Sequence, residues 1–514
     1  MTEPGYSLSR HSSADGSGTR IDVVVRAERD TTVDAVSIAV ADLAGPETIL
    51  EQGYQSWSVV RRCRPDDVRP ERLSLPDTAR GMHQACIGDA GARVGGDQFL
   101  VTDGGVAGWL GGTQHLGTVT VDPVDGSVVA TALLDDISLA AGETFALDPL
   151  WVATGDPGPL YSEYVDLWAA SAEGGARAAG HAPVGWCSWY QYFASVTPDD
   201  IRRNLKLCAA HDIELVQIDD GYQSAIGDWF DAAPGWEGAV SALAVEIAEA
   251  GCRPGLWTAP FLAGENSRLY ADHPDWVVRH HSGHPLRAAY NLEGGGGWAF
   301  ALDTTQAEVL DHLRDLYARL TALGYGYHKI DFCYAAALEG SRHDSSATRA
   351  QALRAGLLAV RDGIGDDAFL LGCGCPFGPA VGIVDAMRVS PDVAPVWEPA
   401  ASWPGYRESA PAAVNAIQAS VLRAPLHRRL WINDPDCLLL TRLPAAGRDA
   451  LVHAVAASGA FVVLSDDLEH YGADEWAIVD RVRAAIADRD RPLDIADPFA
   501  DPIVVSGQAV GWEL

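Results

Sequence analysis

The sequence predicts an α/β chain: a (β/α)8 barrel with an N-terminal β-sandwich domain ahead of it and a short C-terminal β segment behind. Three observations carry this. The first 160 or so residues hold short Val-, Ile- and Thr-rich runs parted by Gly, Asp and Pro. From residue 182 short apolar runs alternate with helical patterns instead. Eight such runs follow within about 300 residues, the arrangement of a closed parallel barrel. Boundaries are expected at 1–165 for the sandwich, 180–489 for the barrel and 490–514 for the C-terminal segment.

In the first region the strand candidates are "RIDVVVRAE", "VDAVSIAVAD", "VAGWLGG", "GTVTVD" and "SVVATALL". "DPGPLYSEYVDLWAASA" then reads as a linker leading into a helix. The barrel candidates are residues 182–189, 213–220, 253–261, 327–332, 369–375, 385–392, 429–436 and 460–467. Between them, "TPDDIRRNLKLCAAH" opens with Thr197 as N-cap, Pro198 at the first helical position and acids in the first turn. "TTQAEVLDHLRDLYARL" places Leu310, Leu313, Tyr317 and Leu320 on one helical face. The 262–303 stretch, with "DWVVRH" and "LEGGGGWAF", is expected to be an excursion over the barrel mouth. The residues after the last helix suffice for two or three strands.

Composition narrows the function classes. The chain has 514 residues, 48% hydrophobic and 21% charged, an ordinary globular balance. Its net charge of −33 argues against nucleic acid or an anionic membrane as partner, since both need a basic face. The first twenty residues lack a basic stretch followed by an apolar one, so no secretion signal is expected. No apolar run is long enough to suggest a membrane span. The nine cysteines have no paired CxxC spacing and are read as reduced thiols, which points to a cytoplasmic protein. Cys373-Gly374-Cys375 is compatible with redox chemistry, but a strand end is the simpler reading. Oligomeric state is not readable from the sequence.

In such barrels the active residues sit at the C-terminal strand ends. These ends are acidic: Asp219-Asp220, Asp331, Asp392, Asp434 with Asp436, and Asp466-Asp467. Acids there can instead cap the following helix. Capping is the preferred reading for Asp466 and Asp467, while Asp434 and Asp436 stand between the two. Alternation along a strand puts Lys329 with Asp331 on one face and Arg388 with Ser390 and Asp392 on another. If both faces point inward, opposite charges cluster at the barrel mouth, which costs stability and marks a site. Lys329 stands out because only it and Lys206 interrupt an otherwise all-arginine set of 37 basic residues. Aromatic residues surround the same ends: Trp186, Trp189, Tyr190, Tyr222, Trp229 and Trp257. Indole rings stack on apolar sugar faces, and two carboxylates flanking an anomeric carbon are the apparatus of glycoside hydrolysis. A separation of ~5–5.5 Å implies retention and ~6.5–9.5 Å inversion.

Seven motifs then carry a resemblance. "GWCSWYQYF" (185–193), "QIDDGYQSAIGDW" (217–229), "GLWTAPF" (255–261), "HKIDF" (328–332), "LGCGCP" (371–376), "MRVSPDVAP" (387–395) and "WINDPDCL" (431–438) resemble the α-galactosidases of glycoside hydrolase family 36, of the compact bacterial type. "GYQSWS" (53–58) resembles that family's Trp-bearing loop from the N-terminal domain. The resemblance implies exo-acting, retaining hydrolysis of terminal α-D-galactosyl residues through a covalent glycosyl-enzyme intermediate. It implies Asp331 as nucleophile and Asp392 as acid/base. It implies substrate binding by Asp219, Asp220, Lys329, Arg388, Trp257, Trp189, Tyr190, Trp57, Cys373 and Gly374. Asp219 and Asp220 match acids that bind the O4 and O6 hydroxyls of galactose; the Cys373–Gly374 loop lies where the family meets the 2-position. The expected partner is a galactoside or small oligosaccharide, with no metal or organic cofactor.

Cys187 departs from the Asn of many members, the Gly-rich stretch 294–297 lengthens a loop, and the C-terminal module is short. Within the same fold, α-N-acetylgalactosaminidase, β-L-arabinopyranosidase or galactosyl transfer are alternatives. A class I aldolase using Lys329 as Schiff-base nucleophile is an alternative of another class, and a non-catalytic sugar-binding barrel a third.

Overall fold

The computed structural model describes residues 5–68, 77–84, 93–172, 174–290, 297–400, 406–459, 461–487 and 490–511. Cys86 and Gly294 to Gly296 lie outside them.

The N-terminal residues form one twelve-stranded sheet that buries both of its faces over much of its area. Alternation along the strands Phe99–Thr102 and Gly105–Trp109 shows how. Leu100 and Ala107 enter a core of Val23, Val25, Ile38, Val119 and Ala130 within the domain. Phe99, Val101 and Val106 enter a second core that continues into the barrel. Strands sandwiched on both sides need apolar residues at every position, and neither carries a charged one. The helix Pro157–Ser171 lies on that second face, with Asp156 as its cap accepting from Gly158 N. Tyr164 donates to Trp109 O at 2.7 Å and Trp168 Nε1 to Gly111 O at 2.8 Å. From the same helix Tyr161 donates across to Leu422 O, at 3.2 Å, on the barrel side.

The barrel is a sheet of eight parallel strands. In chain order they are Val184–Cys187, Leu215–Ile218, Arg253–Thr258, Tyr327–Ile330, Phe369–Gly372, Ala386–Arg388, Ile432–Asp434 and Val462–Leu464, here barrel strands 1 to 8. Strands 1 to 7 pair in sequence order, and strand 8 pairs with strand 1. Strands 7 and 8 are joined through Leu438, whose N–H donates to Val463 O at 2.7 Å and whose carbonyl accepts from Ser465 N. All eight lie within the predicted runs, each shorter than its run; on strands 2, 4 and 6 the residues left outside the ladder include Asp219, Asp220, Asp331 and Asp392. The helix Pro198–Ala210 starts as predicted: Thr197 and Asp200 form a reciprocal capping box. On the helix Ala307–Ala322, Leu313, Tyr317 and Leu320 are buried as expected. Val309 and Leu316 complete that stripe, while Leu310 is only half-buried.

The 262–303 excursion is a three-stranded antiparallel sheet of Leu262–Gly264, Trp298–Ala301 and Arg287–Tyr290. The C-terminal residues form the hairpin Ile503–Val505 with Gln508–Val510, joined by a bridge from Ile495. All eight described cysteines are free and buried. Among the described residues no helix is long and apolar enough to cross a membrane, and no group of three or more His, Cys, Asp or Glu is set to hold a metal ion.

Candidate active site

A cavity of about 270 Å³ opens at the C-terminal ends of the barrel strands. Strand 4 delivers its first charges. Pleating turns His328 outward, where its Nε2 meets Thr321 Oγ1 at 3.1 Å, and turns Lys329 and Asp331 into the cavity. Lys329 Nζ donates to Asp219 Oδ2 at 2.9 Å and stands 3.9 Å from Asp331 Oδ2. Burial alone would weaken this ammonium, but Asp219 and then Asp331 more than reverse that, holding its pKa well above the ordinary lysine value. Asp331 accepts two hydrogen bonds, from Trp257 Nε1 at 2.9 Å and from the Phe332 amide at 2.8 Å. Phe332 takes a left-handed backbone (φ 53°), unusual for a bulky residue, and this turn brings its N–H onto the carboxylate.

Strand 2 ends in Asp219 and Asp220, both buried. Gln217 Nε2 and the Cys187 thiol also donate to Asp219 Oδ2. Gln223 Nε2 donates to Asp220 Oδ1. Desolvation raises the Asp220 pKa to about 6; the Gln223 bond opposes this, and the charges of Asp219 and Asp331 add to it.

Strands 6 and 7 build a second charged group around Arg388. Its Nε donates to Asp434 Oδ2 at 2.9 Å, its Nη2 sits 2.9 Å from Asp436 Oδ1, and its Nη1 lies 3.7 Å from Asp392 Oδ1. The Asp436 contact is an ion pair off the hydrogen-bonding line, since Oδ1 has no aligned donor. Asp436 Oδ2 accepts from the Tyr190 hydroxyl and from Val393 N. Asp392 receives one hydrogen bond across the domain boundary, from Trp57 Nε1 at 3.2 Å. Its side chain stays 32% exposed, and it lines the cavity. Desolvation in this recess and the nearby Asp436 charge push its pKa up to about 6, against the pull of Arg388.

The loop 53–58 between the strands Ile49–Gln52 and Val60–Cys63 carries Trp57 to the mouth. Gln55 Oε1 accepts from Trp57 N at 2.8 Å, and Ser56 Oγ accepts from Gly374 N at 3.1 Å. Gly374 has φ +53°, and a Cβ there would stand 2.7 Å from the Trp57 ring, so only glycine lets the indole lie this close. Trp57 packs edge-on against Phe332, ring centres 5.1 Å apart.

Of the residues singled out in the sequence, Asp331, Asp392, Asp219, Asp220, Lys329, Arg388, Trp257, Trp189, Tyr190 and Trp57 all line this one cavity. Cys373 and Gly374 do not: Cys373 is buried behind the lining and Gly374 lies under the Trp57 ring. Trp186, Tyr222 and Trp229 are packing residues; Trp186 donates to Asp466 O and Tyr222 to Trp257 O. Asp467 caps the short turn Leu468–His470, as expected of a capping acid. Asp466 does not cap; it accepts from Leu440 N, Thr441 and Tyr471 and so ties the loop after strand 7. Sequence reasoning missed Phe332, Ile226, Leu262, Ala289, Tyr290, Ala299 and Cys437, which also line the cavity. Apart from the aromatic rings, these carry no chemical signal that a sequence displays. A separate cavity of about 50 Å³ in the N-terminal domain, beside Gly53 and Gly96, includes none of the acids above.

Comparison with known proteins gives the following similarities. Residues 167–365 match the Melibiase family model. Over 186 residues the chain is 28% identical to the bifunctional alpha-galactosidase/sucrose kinase AgaSK of Mediterraneibacter gnavus, covering 34% of this chain and 19% of that protein. It is 25% identical over 193 residues to alpha-galactosidase AgaA of Geobacillus stearothermophilus, covering 36% of this chain and 25% of the other. The aligned stretch thus spans a quarter or less of these curated relatives. Among solved structures, the α-galactosidase TtGalA from Thermus thermophilus, in complex with p-nitrophenyl α-D-galactopyranoside, superposes with a TM-score of 0.74 at 26% identity over 98% of this chain and 99% of that one. The AgaA crystal structure shares the fold, with a TM-score of 0.63 at 16% identity over 95% of this chain and 69% of that one. By motif, by family model and by fold, this chain is related to the α-galactosidases of glycoside hydrolase family 36.

Proposed function

We propose that the protein is a retaining, exo-acting α-galactosidase. The observation that carries this reading is the pairing of two unlike carboxyls in one cavity. Asp331 is held by two N–H donors with a cation nearby, which suits a nucleophile that must be an anion. Asp392 has its pKa pushed up to about 6, which suits an acid that gives a proton to the leaving oxygen and then acts as base toward water. In the first step Asp331 attacks the anomeric carbon, the glycosidic bond breaks, and the Asp392 proton goes to the departing oxygen. In the second, Asp392 takes a proton from water, whose oxygen displaces Asp331. Asp219, Asp220 and Lys329 offer acceptors and donors for the hydroxyls of one galactosyl unit, and Trp57, Trp189, Tyr190 and Trp257 wall it. Hydrolysis of a terminal residue fits a cavity whose base is closed by charged side chains.

The aldolase reading fits less well. A Schiff-base lysine must lose its proton, whereas Lys329 is held charged by Asp219 and Asp331. As working units we propose residues 1–165, 180–489 and 490–514. Nine cysteines without a paired spacing support a reducing, cytoplasmic setting.

A panel of aryl α-glycosides differing at C2, C4 and C6 tests the substrate claim, with the anomer of the first product read by NMR. The expected result is turnover of the α-galactoside with α-galactose released first. Turnover of another sugar alone would overturn the substrate and leave the mechanism standing; first release of the β anomer would overturn the mechanism. Because Asp392 must hold a proton, kcat/KM should fall as pH rises through about 6. Asp220 titrates in the same range, so that limb belongs to the coupled set.

A further inference from the structure

The excursion 262–303 lends the cavity four lining residues: Leu262, Ala289, Tyr290 and Ala299. Three are small or aliphatic. Tyr290 is a large ring that stays 52% exposed while lining the cavity. An exposed aromatic usually moves freely, but this one is held. It is the register partner of Trp298 on the neighbouring strand and packs edge-on against it, ring centres 5.1 Å apart at 74°. Trp298 is braced in turn by the Arg287 guanidinium, 4.7 Å from its ring centre. Hydrogen bonds from flanking residues secure both strands. Glu265 N donates to Trp298 O at 2.8 Å, and Trp298 N donates to Glu265 Oε1 at 3.0 Å. The Tyr334 hydroxyl donates to Ala288 O at 2.8 Å, and its ring meets Trp57 edge-on at 6.0 Å. The platform is therefore tied to the same loop elements that carry the acids.

We propose that Tyr290 is the stacking surface of a leaving-group subsite, taking the second pyranose ring of an α-galactosyl disaccharide. This rests on the α-galactosidase reading above. The cavity divides its chemistry in a way that supports it. The charged residues can match the many hydroxyls of the galactosyl unit. The excursion offers an apolar surface with one broad ring, which meets the C–H face of a sugar without demanding one hydroxyl pattern. A ring already packed against a neighbour on one edge loses less freedom than a free one when a ligand stacks on it. Specificity for the leaving group is then set by this ring and not by the acids.

The test compares two substrates that share the galactosyl unit and differ in the leaving group. Melibiose departs as a glucose ring; α-galactosyl fluoride departs as an ion that reaches no platform. In Tyr290→Ala, kcat/KM for melibiose should fall about tenfold more than that for the fluoride, through KM, as expected for loss of one aromatic contact. Tyr290→Phe should keep the wild-type ratio, because the ring and not the hydroxyl does the stacking. An unchanged ratio in Tyr290→Ala, or a ratio lost equally in Tyr290→Phe, would overturn the proposal. Failure of the wild-type protein to turn over either substrate would overturn the α-galactosidase reading itself, and the subsite with it.

Discussion

The two walls of the cavity solve one problem with the same parts and reach different ends. Each has one buried cation bound closely by one or two acids and standing further from another acid of the cavity. On the strand 4 side Lys329 is 2.9 Å from Asp219 and 3.9 Å from Asp331. On the strand 6 side Arg388 is 2.9 Å from both Asp434 and Asp436 and 3.7 Å from Asp392. The difference lies in what else touches the outer acid. Asp331 gains an indole N–H and a backbone N–H. Asp392 gains one longer indole bond and faces the Asp436 charge. Two cations among Asp219, Asp220, Asp331, Asp392, Asp434 and Asp436 leave an excess of buried negative charge. Protein interiors relieve such an excess by keeping protons, and the raised pKa values of Asp220, Asp392 and Asp434 are where that happens. The two outer acids thus differ in their donors: Asp331 accepts two N–H bonds, while Asp392 accepts one and has its pKa raised by desolvation and by the Asp436 charge.

The sharpest way to break the comparison is to remove the better-furnished acid. Asp331→Ala should lower kcat/KM for an aryl α-galactoside by roughly 10^4-fold or more. Added azide should restore turnover and give the β-galactosyl azide, because the small anion enters on the face the carboxylate has left. Retained configuration in the rescued product, or activity within tenfold of wild type, would remove Asp331 from the nucleophile role.

Exchanging the cation comes next. Lys329→Arg keeps the charge but replaces a compact ammonium with a planar fork that fills more of the cavity. The expected loss in kcat/KM is about 100-fold with the folded state retained, read by circular dichroism and thermal melting. Near-normal kinetics would show that charge alone matters at this position.

How much of this was legible in the sequence depends on how the residue is used. The eight barrel strands were readable because buried parallel strands are unbroken apolar runs. The strand Tyr6–Asp15 was not: it is exposed along nearly its whole length, pairs only with Gly18–Ala27, and so has no apolar alternation to display. That Lys329 and Asp331 share a face followed from alternation alone; that this face turns inward did not. That Trp57 should wall the cavity came only through the family resemblance; its bond to Asp392, 335 positions away in sequence, was not foreseen. The part played by Asp436 stayed half-visible, because an acid after a strand reads equally well as a helix cap. Tyr290 was invisible as a cavity residue: the 262–303 stretch read as an excursion over the mouth, but nothing local says which of its side chains lines the cavity.

The smallest expected effect tests the contact that separates the two walls. Trp57→Phe keeps an aromatic ring in the mouth and deletes the one indole N–H that Asp392 receives. A donor to a carboxylate favours its charged form, so removing it should raise the Asp392 pKa further above about 6. Activity requires the protonated acid, so the alkaline limb of kcat/KM should move to higher pH, by roughly half a unit to one unit. At pH values below the limb, kcat/KM should fall about tenfold from poorer packing against Phe332 and the substrate. A limb that moves to lower pH would mean that Trp57 acts on Asp392 by burying it and not by its N–H. The donor difference between the walls would then not be what sets their two acids apart.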